Sequence, residues 1–141
     1  MLQKMRVLLL VCITAVLAAC QGGGDGDSTP NFAGNYQIST VNLTSNTCGG
    51  SAPPSLPAGT ETVIQNGRNV SLSGDSGTVD ADNGGFTVTS TDVIDGVTVA
   101  VTIKFRVTAA GASTFAVQVA AVGTAGNVSC TLTYAGTATK S

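Results

Sequence analysis

The sequence predicts an all-β domain, and within that class an eight-stranded antiparallel up-and-down barrel, with a β-sandwich as the alternative. Three observations point there. Apolar and polar residues alternate along most of the chain after residue 31, the period of a strand with one buried face. Glycine, asparagine and aspartate interrupt that alternation at short intervals, which favours hairpin turns over long crossovers. Cys48 falls just past the end of the first strand and Cys130 near the start of the last. In a closed meander of eight these two strands are neighbours and those ends meet, whereas an open flat meander holds them far apart. A disulfide needs Cα atoms about 4.4–6.8 Å apart, so the cysteines test closure.

The elements follow in order. "GNYQISTVNL" is the first strand, 35–43, and its apolar phase slips between Ile38 and Val41, as at a β-bulge. "SNTCGGSAPPSLPAG" is a long loop whose three prolines keep it out of a sheet interior. Strands 60–66 and 69–73 flank Asn66-Gly67, a hairpin signal because both central positions of that turn favour positive φ. Strands 77–81 and 84–91 flank a second turn around Asp82-Asn83-Gly84. Strand 97–108 carries the plainest alternation, with Val97, Val99, Val101, Ile103, Phe105 and Val107 on one face. Its other face has threonines together with Lys104 and Arg106, charges expected to oppose edge-to-edge pairing. Strand 113–122 turns Phe115, Val117 and Val119 inward, and strand 127–137 sets Val128, Cys130, Leu132 and Tyr134 on one side.

An immunoglobulin-type sandwich fits less well, because the chain has no tryptophan and no tyrosine two residues before Cys130. A membrane-spanning barrel fits worst. Most strands are too short, and four phenylalanines with two tyrosines are too few for two aromatic girdles.

The first segment gives an address. Lys4 and Arg6 precede an apolar run, Val7 to Ala19, that falls short of the roughly 20 residues a membrane helix needs. A basic start, a brief apolar centre and small residues at its end make a secretory signal. Leu17-Ala18-Ala19-Cys20 closely resembles the bacterial lipobox. That resemblance implies cleavage before Cys20, a diacylglycerol on its sulfur and an acylated amino group. The alternative is an ordinary secretory signal with a chance cysteine. Gln21 stands where an inner-membrane retention aspartate would stand, which implies the outer membrane. The expected organisation is a signal peptide over 1–19, a lipidated cysteine and flexible linker over 20–30, and a β domain over 31–141. The linker, "QGGGDGDSTP", has no apolar residue with which to offset its ordering entropy. Its aspartates do not match the register of a glycine-rich calcium repeat.

Composition narrows the chemistry. Export with lipidation would leave Cys48 and Cys130 as the unmodified thiols, and in an exported protein such a pair is expected to bridge. Two free thiols or an intermolecular bond stay open as alternatives. Without histidine there is no Ser-His-Asp or Cys-His arrangement, and no CxxC supports a metal site. Glu61 is the only glutamate, and Asp75, Asp80, Asp82, Asp92 and Asp95 all fall in expected turns. Asp80-Ala81-Asp82-Asn83-Gly84 imitates the start of a calcium loop but lacks the closing glutamate, so a hairpin turn is expected. No catalytic residue, cofactor or metal is therefore expected. The acidic balance argues against nucleic acid as a partner.

"FAGNY", Phe32 to Tyr36, together with the strand layout resembles the opening of calycin barrels, the lipocalin-like and avidin-like group. The resemblance implies a barrel able to hold one small ligand. The lipocalin Gly-x-Trp is missing, since position 36 is tyrosine, and avidin's ligand-binding tryptophans are absent, so no ligand contact is carried over. Mostly valine faces inward with few polar groups, which favours a filled core over a specific pocket. The function expected is a lipid-anchored envelope domain with a structural or protein-contact role. The alternative is a carrier of a small apolar ligand. A third expectation, by analogy with barrel-shaped lipoprotein inhibitors of lysozyme and from the negative charge, is inhibition of a cationic enzyme.

Overall fold

The computed structural model describes residues 29–141. The expected signal peptide, lipid site at Cys20 and linker as far as residue 28 lie outside the described residues. The strands are β1 Gly34–Ile38, β2 Val41–Asn46, β3 Ser55–Leu56, β4 Gly59–Asn66, β5 Asn69–Leu72, β6 Asp75–Val79, β7 Gly85–Ile94, β8 Val97–Val107, β9 Thr114–Ala125 and β10 Val128–Lys140. No helix occurs among the described residues.

Hydrogen-bonded neighbours run β1, β4, β5, β6, β7, β8, β9, β10, and β10 returns to β1. Every pairing is antiparallel, so the chain closes an eight-position barrel, and the sandwich alternative falls. β2 extends β1 along β10, and β3 lies along its outer edge. The expected single strand 35–43 is therefore two strands broken at Ser39-Thr40. Ile38 faces Ala138 and Asn42 faces Ala135, four steps on one strand against three on the other. This is the bulge the phase slip predicts. Gly136 sits opposite it, where an added Cβ would lie 2.5 Å from Val41 Cγ1. Thr44 is a second extra residue, since Leu43 faces Tyr134 and Ser45 faces Thr133.

Two-residue turns join most of the wall. Ser73-Gly74 and Asp95-Gly96 hold positive φ at both positions, the type I′ requirement. The expected Asn66-Gly67 turn is shifted by one. Asn66 pairs with Asn69, and Gly67-Arg68 makes the turn with only Gly67 at positive φ. Asp75 and Asp92 are also not in turns: Asp75 opens β6 and Asp92 lies within β7, opposite Val99. β3, a two-residue strand between Pro54 and Pro57, was not expected; it survives as an outer edge, where proline costs no ladder bond.

The core gathers the aromatic residues. Phe86 and Phe105 are stacked with centroids 4.7 Å apart. Tyr36 meets Phe86, Phe105 and Phe115 edge-on at 5.8, 5.5 and 5.1 Å. Phe32 closes over them, 5.5 Å from Phe86. Val63, Val70, Leu72, Val88 and Val117 are buried around this cluster. A Cys48–Cys130 disulfide ties the loop after β2 to the start of β10.

Candidate functional site

The two ends of the barrel differ. At the closed end β1 begins and β10 finishes, and the chain enters here through Pro30 and Phe32. The Tyr36 hydroxyl donates to Phe32 O at 2.7 Å, and the Phe32 amide donates to Gln65 Oε1 at 2.6 Å. Gln65 Nε2 in turn donates to Pro30 O at 2.9 Å. Backbone and ring of Phe32 thus plug this end. Burial holds the Tyr36 hydroxyl well above its ordinary pKa, because the phenolate would lose its water.

The other end is open on one side because the strands differ in length. β5 and β6 have 4 and 5 residues, whereas β8, β9 and β10 have 11, 12 and 13. The last pair between β6 and β7 is Ser76 with Thr89, yet β7 runs on to Ile94. The long strands therefore overhang the short wall. On their inner face one row joins Ser90, Val101, Ala121 and Leu132, and the next joins Asp92, Val99, Gly123 and Cys130. Val99, Val101, Ala121, Gly123 and Leu132 are only half-buried. At the hairpin tips Val93 is 65% exposed, Ile94 36% and Val128 72%. The overhang is an apolar trough with two borders, β7 and the disulfide-pinned end of β2.

Charge is segregated along the same axis. Arg68 lies in the β4–β5 turn, Arg106 just before the last residue of β8, Lys140 at the end of β10, and Lys104 three residues before the end of β8. All four sit toward the closed end. Asp75, Asp92 and Asp95 lie toward the open end, and no basic residue of the described chain joins them, whereas Glu61 lies within β4 opposite Tyr36, whose other partner is Lys140. The Ser73 hydroxyl donates to Glu61 across the β5–β6 turn.

The two remaining acids, Asp80 and Asp82, occupy the β6–β7 turn and are engaged there. Arg106 reaches Asp82 through both guanidinium branches, at 3.0 and 2.7 Å, and Asp80 at 3.2 Å. Thr87 Oγ1 donates to Asp80 Oδ1 at 2.7 Å, and Arg68 donates to Asn83 Oδ1 at 3.0 Å. The paired guanidinium, helped by the Gly84 amide, lowers the Asp82 carboxyl below its usual range and raises Arg106. This is the hairpin expected of the calcium-loop look-alike. The expectation for Arg106 changes, however: β8 lies between β7 and β9 with no free edge to guard, and Arg106 instead clamps a turn. Lys104 likewise lies on an interior strand. Among the described residues no group of three or more potential metal ligands comes together, and no helix is long and apolar enough to cross a membrane.

What this arrangement offers is a surface: aliphatic, acid-rimmed and bordered by strand backbone. The sequence pattern places Val99, Val101, Cys130 and Leu132 on the inner face, but it put Asp92 in a turn and gave no sign that the wall opposite stops short. No family model matches this chain, and neither a curated protein nor a solved structure matches it.

Proposed function

We propose that this is a lipid-anchored protein of the bacterial envelope, carried on the outer membrane, whose β domain works by contact with another protein. The lipobox resemblance at Leu17 to Cys20 supports the anchor, and Gln21 supports the outer membrane. One observation carries the contact role: the aromatic cluster fills the closed end, and the remaining inner face is an open trough rather than an enclosed cavity. A carrier gains affinity by surrounding most of its ligand; a half-open wall suits a macromolecular surface. Because the described chain begins at the closed end, a tether would leave the open end facing away from the membrane.

Metabolic labelling with a palmitate analogue tests the anchor. Label in the wild-type protein and none in Cys20→Ser supports it, while an unlabelled wild-type protein overturns it. Photo-crosslinking from Val93 in intact envelopes tests the contact role. A discrete protein adduct is expected, and its absence alongside a co-purifying small molecule in native mass spectrometry would favour a carrier, the reading suggested by the half-buried aliphatic wall.

A further inference from the structure

Among the described residues, the outer edge of β7 has no partner strand beyond Thr89. In a two-residue hairpin the residues flanking the turn exchange backbone hydrogen bonds, and the pattern alternates from there. Ile94, Asp92 and Ser90 therefore bond toward β8, and the amides and carbonyls of Thr91 and Val93 point outward. The structure shows the consequence at Val93, whose amide donates to the Asp92 carboxylate at 3.1 Å in place of a strand. The edge also borders the trough: Asp92 projects on the inner face with Val99, and Val93 projects on the outer face.

We propose that the Ser90–Ile94 edge of β7 takes up an extended, cationic and apolar segment of a partner protein as an added strand. This rests on the protein-contact reading and names the chemistry of the contact. Strand addition satisfies the outward groups of Thr91 and Val93. The side-chain requirement follows from alternation. A residue of the added strand beside Asp92 sits in the acidic field of Asp92 and Asp95, with Asp75 at the start of the neighbouring β6, and is lysine or arginine. A residue beside Val93 on the outer face is apolar.

The same charges argue against two other occupants. A second copy pairing antiparallel through this edge would bring the Asp92 and Asp95 carboxylates of one copy close to those of the other, a destabilising arrangement. A bilayer surface with anionic lipids repels them too, and among the described residues no lysine or arginine neighbours the exposed Val93, Ile94 and Val128 in sequence.

The test is titration of the full chain with an eight-residue peptide of alternating lysine and valine, followed by amide NMR and fluorescence anisotropy. Expected are shifts centred on Ser90 to Ile94, weaker binding in high salt, and no binding of the glutamate–valine counterpart. Asp92→Asn is expected to weaken binding about two- to fivefold, the worth of one exposed charge pair. Val93→Pro removes the outward amide without breaking a bond to β8 and should weaken it about tenfold or more. Equal binding of both peptides, or unchanged binding to a folded Val93→Pro, overturns the proposal, as does the same set of shifts with phosphatidylcholine vesicles. Those results leave the contact reading standing if Val93 still crosslinks to a protein in envelopes, so the two fail separately.

Discussion

The Cα atoms of Cys48 and Cys130 lie 4.8 Å apart and their sulfurs are bonded, although 82 positions separate them in the chain. The bond lies beyond the last ladder pair of β2, Asn46 with Leu132, so it holds a strand end rather than the barrel seam. Replacing both cysteines by alanine is expected to leave the barrel intact. By the chain-entropy argument for so long a loop, the loss is at most about 4–5 kcal/mol. Urea unfolding of oxidised and double-alanine proteins measures it.

Phe105 is fully buried and stacked on Phe86, with Tyr36 against its edge. Phe105→Ala should cost about 3–5 kcal/mol, the range for a buried aromatic. Near-ultraviolet circular dichroism should weaken together with the fall in the urea midpoint, because the rings lose a common packing partner.

Gly77 is required by close approach rather than by its backbone angle. An added Cβ would lie 2.1 Å from Thr87 O and 2.7 Å from the Val88 Cα, atoms of the neighbouring backbone. Gly77→Ala therefore forces β6 and β7 apart and should destabilise by about 1–3 kcal/mol or more. Gly67→Ala is the comparison, since no atom lies within 4 Å of an added Cβ there and only its positive φ opposes the change. It should cost less, and thermal unfolding of the two variants decides the order.

Asp82 and Tyr36 each tie stability to pH. The Asp82 carboxyl is lowered in the folded state by Arg106. Its contribution is thus complete above the unfolded carboxylate value of about 3.9 and is lost as pH falls through the lower folded value. Carboxyl NMR should show Asp82 titrating lower in folded than in urea-unfolded protein, with Arg106→Ala or high salt removing the difference. Tyr36 is raised by burial, so its contribution is complete below about pH 10 and declines as pH rises above it. Tyr36→Phe should blunt that alkaline loss.

Closure, the eight positions of the barrel wall and the first bulge were legible in the sequence because each leaves a local or countable mark. The Val97 to Val107 alternation is one such mark, the slip between Ile38 and Val41 another, and the cysteine positions a third. What was not legible depends on distant partners. Gly67 rather than Asn66 leads its turn because the register of Val63 against Leu72 and Gln65 against Val70 fixes the loop. Arg106 alternates like any surface residue, and only the folded β6–β7 turn brings Asp80 and Asp82 within its reach. The trough was hidden for the same reason: Val99 and Val101 read as core until β5 and β6 prove too short to cover them.

The barrel has two unlike ends, and the central claim is that the closed one faces a membrane and the open one faces away. The direct measurement is paramagnetic broadening of amide signals when the lipidated full chain sits in nanodiscs whose lipid headgroups carry a nitroxide. Broadening at Arg68 and Lys140 with sharp signals at Val93 and Val128 is the expected result. Broadening at Val93 and Val128 would turn the barrel over and contradict it.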